Sequence, residues 1–521
     1  KNLVRKKKES ARWVPHTPTH VHGELSINSL MGGVVSSRSN RNHDEGTACT
    51  LDEKNVVDTG CPPDEKQNEI VVCDVRCSGF VDPCHSRVNY YDACGKLKTT
   101  DAILEKMAER SSLTPDSAKL ILAMVGLPAR GKSFISHKLE AFLNWSGQRT
   151  KIFNAGQKRR HVQEKGEHTR QHSEASFFDP SDEDARAARE HIAMETLEEM
   201  LEWFELGGAI GIYDATNSTR ARREAVLARA ASASERTGER VSVVFIESIC
   251  DDRAVLEANL LIKVRASPDF AGLSESMALA DLKQRIDNYE RVYETVADEE
   301  GAYIKLFNLS SKVAANQVFG RMSTRVLPYL TALHIRERPV YLAALLPGES
   351  QASLDTTFAQ KLATWVRKRN ACARLRLLSS TQPAALTAAH KVAGDDGCSM
   401  THQSGLNPLD RGKTHAEVDA PLAATPFSER FPGGESFADL VRRLEPCVLE
   451  IEASMEPVLV LAHGSPCRAL RAYFLGIDVT KCMGPASSPA ARALADEAHK
   501  VVELYPTVSG GWAETIIDLE D

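Results

Sequence analysis

The octapeptide GLPARGKS at residues 126–133 constrains the fold of this chain more than any other feature. It fits the pattern G-x-x-x-x-G-K-[ST], and it lies between the apolar run KLILAMV and the helical pattern SFISHKLEAFLNW. A strand that enters a glycine-rich loop and continues as a helix presents backbone N–H groups to phosphate. The segment therefore predicts a nucleotide-binding loop, with Lys132 on the β- and γ-phosphates and Ser133 as a Mg²⁺ ligand.

Short apolar runs alternate with helical patterns from about residue 118 to residue 338. Strands are predicted at KLILAMVG, TKIFNAG, AIGIYDAT, VSVVFIESIC and AYIKLFNLS, and a last helix is predicted at KVAANQVFGRMSTRVLPYLTALH. Such alternation indicates an α/β fold, in which helices cover a parallel sheet. A second series, with strands at RPVYLAALL, CARLRLLSS and PVLVLAHG, predicts another α/β domain over 339–521. Residues 1–117 are rich in Ser, Asn, Asp and Gly, which predicts a largely disordered extension.

Composition narrows the class of protein. With 521 residues and 42% hydrophobic residues the chain can form several cores, while a net charge of −7 is unlike a nucleic-acid-binding protein. No apolar run approaches the roughly 18 residues of a membrane span, and no apolar stretch follows the basic first residues as in a secretion signal. Six of the 12 cysteines fall in the first hundred residues without a C-x-x-C pair, which favours free thiols. A cytosolic location is expected.

A carboxylate and a group of basic residues accompany the phosphate loop. The run AIGIYDATNSTRARR places Asp214 at the end of a predicted buried strand, where parallel sheets bind ligands. There it could accept the proton of an acceptor hydroxyl or organise Mg²⁺, although capping a helix is the alternative. Several basic residues near other strand ends suit a phosphorylated acceptor, since arginine grips phosphate with two N–H groups; singly, each would be a surface residue. They are Arg159, Arg160, Arg189, Arg220, Arg222, Arg223 and Arg285.

Seven motifs together make the prediction more specific. GLPARGKS, FNAGQKRR, YDATNSTRARR, FIESICDD, SPDF, RIDNYERVYE and YIKLFNL occur in this order. The chain resembles the 6-phosphofructo-2-kinase/fructose-2,6-bisphosphatase family over about 120–475. The resemblance implies a P-loop kinase domain followed by a phosphoglycerate-mutase-like domain. It implies ATP and Mg²⁺ as cofactors and fructose 6-phosphate as the substrate, phosphorylated at its 2-hydroxyl to fructose 2,6-bisphosphate.

The resemblance also implies site residues. The implied catalytic residues are Asp214, Lys132 and Cys250, although a plain core thiol would also suit the last position. ATP and Mg²⁺ would be held by Gly126, Leu127, Pro128, Ala129, Arg130, Gly131, Lys132, Ser133, Asn259 and Lys263. Fructose 6-phosphate would be held by Arg159, Arg189, Thr216, Arg222, Lys263, Arg285 and Tyr289. Many family members have lysine where this chain has Val264, so Lys263 is expected to take that role.

The second half departs from the family's phosphatase pattern. FPGGESFADLVRRLEP matches, and VLVLAHGSPCRALRAYFLGID carries one expected histidine as His463. The nucleophilic Arg-His-Gly corner is replaced by Leu346 and Pro347 before a Gly-Glu-Ser turn, and proline has no nucleophile. We therefore expect no bisphosphatase activity, with His463 and Glu349 as vestigial residues. Glu417 is a candidate for a displaced acid.

Three functions remain open from the sequence. The first is a 6-phosphofructo-2-kinase with a degenerate phosphatase-like domain. The second keeps both activities through an unrecognised nucleophile, and the third is a non-catalytic scaffold that binds ATP or sugar phosphate. A P-loop kinase with another acceptor, such as a nucleotide, is the generic fallback. No nucleic-acid or membrane partner is expected, and a homodimer stays open.

Overall fold

A computed structural model of the chain describes residues 119–164, 175–309, 311–320, 322–345, 352–369, 374–394, 398–412, 427–482, 499–507 and 511–519. The expected extension over 1–117 lies outside these residues, as do Leu346, Pro347, Glu349 and Glu417. Across the described ranges, no helix combines the length and the apolar character needed to cross a membrane.

A six-stranded sheet organises the first half. Its strands are β1 (Lys119–Val125), β2 (Thr150–Asn154), β3 (Ile210–Asp214), β4 (Val241–Ile249), β5 (Tyr303–Phe307) and β6 (Lys312–Asn316). They lie in the order β2-β3-β1-β4-β5-β6, and all neighbours run parallel except β5 and β6. The central strand β1 is apolar because it is covered on both faces, as expected for a buried parallel strand.

Helices cover both faces of this sheet. They are α1 (Lys132–Trp145), α2 (Ala155–Glu164), α3 (Glu183–Glu205), α4 (Arg220–Thr237), α5 (Arg253–Ala266), α6 (Glu275–Glu290) and α7 (Leu327–Ala332). The apolar stripe predicted for α1 is confirmed, since Ile135, Leu139 and Phe142 are buried. Asp182 and Thr219 begin α3 and α4 by accepting hydrogen bonds from backbone N–H groups, which fixes where these helices start.

The helix predicted over 312–334 is wrong in its first part. Residues Lys312–Asn316 form β6, which returns antiparallel to β5 with Phe307 opposite Lys312. The four-residue connection contains Asn308 and Leu309 with positive φ angles of 48° and 49°, so the chain turns back as a hairpin. The helical composition of this segment is overridden by pairing at the sheet edge. Among the described residues of this segment, helix is present over Met322–Val326, as a π-helix, and over Leu327–Ala332.

A second six-stranded sheet organises the other half. Its strands are β7 (Val340–Leu345), β8 (Arg376–Ser379), β9 (Ser399–His402), β10 (Val458–His463), β11 (Lys500–Pro506) and β12 (Trp512–Asp518). The order is β12-β11-β7-β10-β8-β9, and β11 and β12 run antiparallel to their neighbours. The helices are α8 (Ala352–Arg369), α9 (Pro383–Ala393), α10 (Phe437–Ala453), α11 (Gly464–Leu475) and α12 (Val479–Cys482). The sequence did not predict β9, β11 or β12.

Helix α1 of the first half also contacts the second half. Lys138 forms a buried ion pair with Glu452 of α10 at 3.2 Å. The Tyr473 hydroxyl donates to Glu452 at 2.6 Å and lies 2.8 Å from the Tyr329 hydroxyl, which donates to the Lys138 carbonyl. The Lys138 ammonium also lies 4.8 Å from the ring centroid of Trp512. We call these residues the Lys138 network. It ties the helix that follows the phosphate loop to the second half.

Candidate active site

The phosphate loop has a backbone that its sequence dictates. Gly126 has a φ of 138°, and a Cβ atom there would lie 2.6 Å from the Ser248 carbonyl oxygen. Glycine is therefore required both for the conformation and for the close approach of β4. Ala129 and Gly131 also have positive φ angles, of 61° and 83°. The Gly126 N–H donates to the Thr216 carbonyl at 3.1 Å, which holds the loop against the end of β3.

Ser133, Asp214 and Asn154 meet at the carboxyl ends of β2 and β3. The Ser133 hydroxyl donates to Oδ2 of Asp214 at 2.8 Å, and the Asn154 amide donates to the same oxygen at 2.5 Å. Asn154 and Asp214 are register partners in the sheet, so the pairing of β2 with β3 brings them together. Asp214 is buried, and these contacts hold its carboxylate beside the first turn of α1.

Lys132 lies at the start of α1 with its ammonium inside the site. Its Nζ donates to the Leu127 carbonyl at 2.7 Å, so the lysine folds back over the phosphate loop. Burial lowers the pKa of Lys132 to about 7, and the nearby Asp214 charge offsets only part of this effect. An anionic ligand would restore the charged form, which is the behaviour that a phosphate-binding lysine needs.

Lys263, and not Val264, faces the site. Val264 is buried among apolar side chains that include Phe270 and Leu282, because successive residues on a helix point 100° apart. The Lys263 side chain is exposed to solvent within the cavity. Partial desolvation by the cavity walls lowers the pKa of Lys263, with Asp214 and Asp269 opposing the effect.

These residues line a cavity of about 1000 Å³ at the carboxyl ends of the strands. Eight lysine or arginine side chains and three carboxylates line it, so the cavity carries an excess of positive charge. The predicted site residues that line it are Pro128, Ala129, Gly131, Lys132, Ser133, Asp214, Thr216, Asn259, Lys263, Arg159, Arg189, Arg222, Arg285 and Tyr289. An excess of cations in a concave site favours a ligand with several negative charges.

Two of these arginines share one carboxylate. Arg159 and Arg285 contact Oδ2 of Asp269 at 2.5 Å and 3.0 Å. The guanidinium of Arg285 also lies 4.8 Å from the ring centroid of Phe178 and pairs with Asp281 at 2.6 Å. The arginine pair holds the pKa of Asp269 below its usual range, although burial acts in the opposite direction. Both guanidinium groups are therefore fixed in position before any ligand binds.

The other predicted acceptor residues lie across the cavity. Arg222 pairs with Glu190, and its Nε donates to that carboxylate at 2.6 Å. Arg189 donates to the carbonyls of Phe177 and Asp179, and burial lowers the pKa of its guanidinium. Tyr289 packs beside Phe178, with ring centroids 5.8 Å apart.

Six residues singled out from the sequence of the first half do not line the cavity. Gly126 and Leu127 shape the loop through their backbones. Arg130 forms an ion pair with Glu290 at 3.6 Å, and the exposed Arg220 pairs with Glu224 at 3.1 Å. Arg223 is fully buried and pairs with Glu300, so its expected contribution to an anion pocket is wrong. Cys250 is buried just beyond β4, and burial raises the pKa of its thiol. Its catalytic role stays a prediction that this placement does not favour.

Sequence reasoning missed Asn154 and Asp269. Both lie inside quoted motifs, FNAGQKRR and SPDF. For Asn154 the available signal was its position: it lies at the end of a predicted strand, as Asp214 does. No local signal identified Asp269, because its arginine partners lie 110 and 16 residues away.

In the second half, His463 ends β10 and is buried. Its register partner is Leu345, the last residue of β7, so it lies beside the strand that leads into the altered corner. The other predicted vestigial residue, Glu349, is outside the described residues.

Known proteins match both halves. The family model described as 6-phosphofructo-2-kinase matches residues 108–337, and the one described as histidine phosphatase superfamily (branch 1) matches residues 356–494. A 6-phosphofructo-2-kinase/fructose-2,6-bisphosphatase of Gallus gallus is 32% identical over 443 residues, covering 79% of this chain and 88% of that protein.

Two longer relatives match over shorter fractions of their length. The protein of the same name from Arabidopsis thaliana is 33% identical over 384 residues, covering 68% of this chain and 49% of that protein. The 6-phosphofructo-2-kinase 1 of Saccharomyces cerevisiae is 28% identical over 470 residues, covering 80% and 55%. The chain thus spans about half the length of these two relatives and most of the chicken protein. By these matches and by its phosphate-loop site, the chain belongs to the 6-phosphofructo-2-kinase/fructose-2,6-bisphosphatase family.

Proposed function

We propose that this chain transfers the γ-phosphoryl group of ATP to the 2-hydroxyl of fructose 6-phosphate, forming fructose 2,6-bisphosphate. The observation that carries the proposal is the 2.8 Å contact between Ser133 of the phosphate loop and Asp214 at the end of β3, inside the cation-lined cavity. It brings a phosphate-binding loop close to a carboxylate that can accept the proton of an acceptor hydroxyl. A scaffold that only binds ligand has no need of this pairing.

The residues of the donor side fit a magnesium nucleotide. Mg²⁺ prefers oxygen ligands, and the Ser133 hydroxyl offers one, with the Asp214 carboxylate 2.8 Å away to balance the charge of the ion. Lys132 and the loop N–H groups would hold the phosphates, with Asn259 and Lys263 on the same cavity. Bound Mg²⁺ would neutralise charge on the phosphate oxygens during transfer.

The residues of the acceptor side fit a sugar monophosphate. Asp269 holds Arg159 and Arg285 together. Two guanidinium groups fixed in this way can donate several hydrogen bonds to one phosphate group. Arg189, Arg222, Thr216 and Tyr289 complete the acceptor set around the cavity.

Asp214 is proposed to take the proton of the attacking hydroxyl. Both of its hydrogen bonds from described residues end on Oδ2, which leaves Oδ1 for the acceptor. Proton removal by a positioned carboxylate contributes typically about 10²- to 10⁴-fold to a rate.

We further propose that the second half hydrolyses no fructose 2,6-bisphosphate. The support is chemical: residues 346 and 347 are leucine and proline, and neither side chain can attack phosphorus. His463 is kept, but the arginine and histidine that the family pattern places just after β7 are replaced. A cytosolic site of action follows from the proposed sugar-phosphate substrate.

An assay with Mg-ATP and fructose 6-phosphate tests the kinase. The native chain should make fructose 2,6-bisphosphate, and Lys132→Ala should lose at least about 10²-fold in rate because a preorganised cation is removed. Arg222→Ala should raise the KM for fructose 6-phosphate, whereas Arg220→Ala is the matched control, since Arg220 is exposed and pairs with Glu224. No product from the native chain, or equal effects of the two arginine variants, would contradict the proposal.

A second assay tests the phosphatase-like half. Fructose 2,6-bisphosphate labelled at the 2-phosphate should release no phosphate beyond the uncatalysed background. Label trapped on His463 would instead show that the chain keeps both activities.

A further inference from the structure

Asn217 lies between the two sides of the proposed site, three residues after Asp214. Its side chain is fully buried, and its Nδ2 donates to the Met124 carbonyl at 2.8 Å. Met124 is the penultimate residue of β1, immediately before the phosphate loop. Asn217 therefore links the strand that carries the donor loop to the loop that carries the acceptor residues.

A second hydrogen bond runs beside the first. The Gly126 N–H donates to the Thr216 carbonyl at 3.1 Å, so two successive residues of the β3–α4 loop bond to the end of β1 and to the first residue of the phosphate loop. Each segment supplies both a donor and an acceptor. We call this pair of bonds the Asn217 clamp. It holds the start of the phosphate loop at a fixed distance from Asp214 and Thr216.

The loop is anchored from the other side as well. The fully buried Arg223 donates to the Asn217 carbonyl at 3.1 Å and is itself held by Glu300 at 2.5 Å. The clamp consequently rests on a rigid base, so a change in the Asn217 side chain would act on the donor loop and leave the acceptor loop anchored.

Two features of Asn217 are energetically unfavourable: its backbone conformation and its buried side-chain oxygen. Asn217 has a φ of 43°, in the left-handed region that few residues other than glycine adopt, although asparagine adopts it more often than most. Its Oδ1 is buried without a hydrogen-bond partner among the described residues, and turning the amide over would set this oxygen against the Met124 carbonyl. Strained and unsatisfied groups in one buried residue occur chiefly where a functional geometry requires them.

We infer that Asn217 is a positioning residue for phosphoryl transfer, which sets the spacing between the phosphate loop and the acceptor residues. The inference rests on the proposed kinase function. It predicts an effect on the transfer step more than on binding, because either substrate can bind to its own loop while their mutual alignment is lost.

Asn217→Gly tests this inference without adding strain. Glycine accepts the left-handed conformation, so the variant should keep the native melting temperature within a few degrees while it lacks the amide. We expect kcat to fall at least about 10-fold, with the KM for each substrate within about threefold of the native value. Asn217→Asp replaces the N–H donor with an oxygen that repels the Met124 carbonyl, and it should lower kcat at least as much.

Asn308→Gly is the matched control. Asn308 also has a positive φ, of 48°, and its side chain also bonds to backbone, since its Oδ1 accepts from the Asp251 N–H at 3.0 Å. It does not line the cavity, so kcat should stay native. Native kcat in Asn217→Gly, or a loss confined to KM, would overturn the inference.

Hydrogen exchange provides a readout that needs no acceptor substrate. In Asn217→Gly, a peptide spanning the Gly126 amide should exchange at least about 10-fold faster than in the native chain, and Asn308→Gly should not change it. Unchanged exchange would overturn the clamp. This result is separable from failure of the proposed function, which would appear as a native chain that makes no fructose 2,6-bisphosphate.

Discussion

Both halves of the molecule carry polar residues at the carboxyl ends of their parallel strands, but the contacts of those residues differ. At the first sheet, Asn154 and Asp214 converge on a cavity with an excess of cations. At the second, Ser379 of β8 lies 2.6 Å from the His402 ring, and Ser380 donates to Asn407 at 2.8 Å. These polar groups at the ends of β8 and β9 thus hydrogen-bond to one another or to the neighbouring Asn407.

The arginines of the two halves differ in the same way. In the second half, Arg369, Arg376, Arg443 and Arg471 pair with glutamates on neighbouring elements. In the first, arginines paired with carboxylates still line an open cavity. Under the proposed function, the comparison teaches that a parallel-sheet fold can persist after its edge has lost the groups that make it an active site.

The most direct test of this comparison replaces one polar residue at a strand end in each half. Asp214→Asn should lower the kinase rate by roughly 10²- to 10⁴-fold, because the carboxylate that takes the proton is lost. His463→Asn should leave that rate unchanged. The measurement is the rate of fructose 2,6-bisphosphate formation at saturating substrates. Equal losses in the two variants would mean that both edges take part in transfer.

The Lys138 network tests whether the halves are separable. Glu452 has a pKa below its ordinary value, since burial raises it but Lys138 and Tyr473 outweigh that effect. Lys138→Met would leave this buried carboxylate without its ion-pair partner, although the charge of Arg338 still acts on it. We expect a cost of about 3–5 kcal/mol in the free energy of unfolding.

The double variant Lys138→Met/Glu452→Met should recover most of that loss, because it removes both charges. Denaturant unfolding followed by probes in each half provides the measurement. Transitions that stay coincident indicate one cooperative unit, whereas separate transitions would show that the halves are independent.

Two glycines that follow strands sharpen the contrast. Gly126→Ala should destabilise the chain by about 1–3 kcal/mol and weaken ATP binding, since alanine meets both an unfavourable φ and the Ser248 carbonyl. At the equivalent end of β10, a methyl group added to Gly464 would meet open space, so Gly464→Ala should be tolerated. Thermal unfolding and ATP titration distinguish the outcomes, and similar losses in both variants would refute the contrast.

The smallest expected effect is a proton taken up on ATP binding. With its pKa at about 7, Lys132 is mostly neutral in the free protein near pH 8, and triphosphate should restore its charge. Calorimetry in buffers of different ionisation heat should show uptake of up to about one proton near pH 8 and much less near pH 6.

ATP affinity should accordingly decrease as the pH rises above about 7. Lys132→Arg should abolish the uptake, because arginine stays charged, and His463→Asn should retain it. Uptake that persists in Lys132→Arg would assign the proton to another group.

Much of the fold could be predicted because its signals are local. The phosphate loop, the strand ending at Asp214 and the stripe on α1 each follow from a short run of sequence. The hairpin that forms β6 could not be predicted in the same way, since five residues of helical composition pair with β5 only in the folded sheet. The strands β9 and β12 were missed for a related reason, because they form the two edges of their sheet. The strand β11 was also missed, although it has seven residues and lies between β12 and β7.

The site residues also divide into those with a local sequence signal and those that depend on distant partners. Lys132, Ser133 and Asp214 were predicted from motifs, and the structure places them together. Arg223 was misassigned because sequence cannot show that Glu300, 77 residues later, neutralises it. Asp269 and Asn217 were missed because their roles depend on partners brought near by the sheet.

The Lys138 network has a consequence for how the protein is made. Lys138 leaves the ribosome 314 residues before Glu452, so the helix behind the phosphate loop waits for most of the chain to be translated before its buried charge is matched. Nascent chains arrested before the second half should therefore hold this helix only loosely. We therefore expect a stop codon that deletes no kinase motif to lower the kinase activity, and selection for that activity would then preserve a half to which we assign no chemistry of its own.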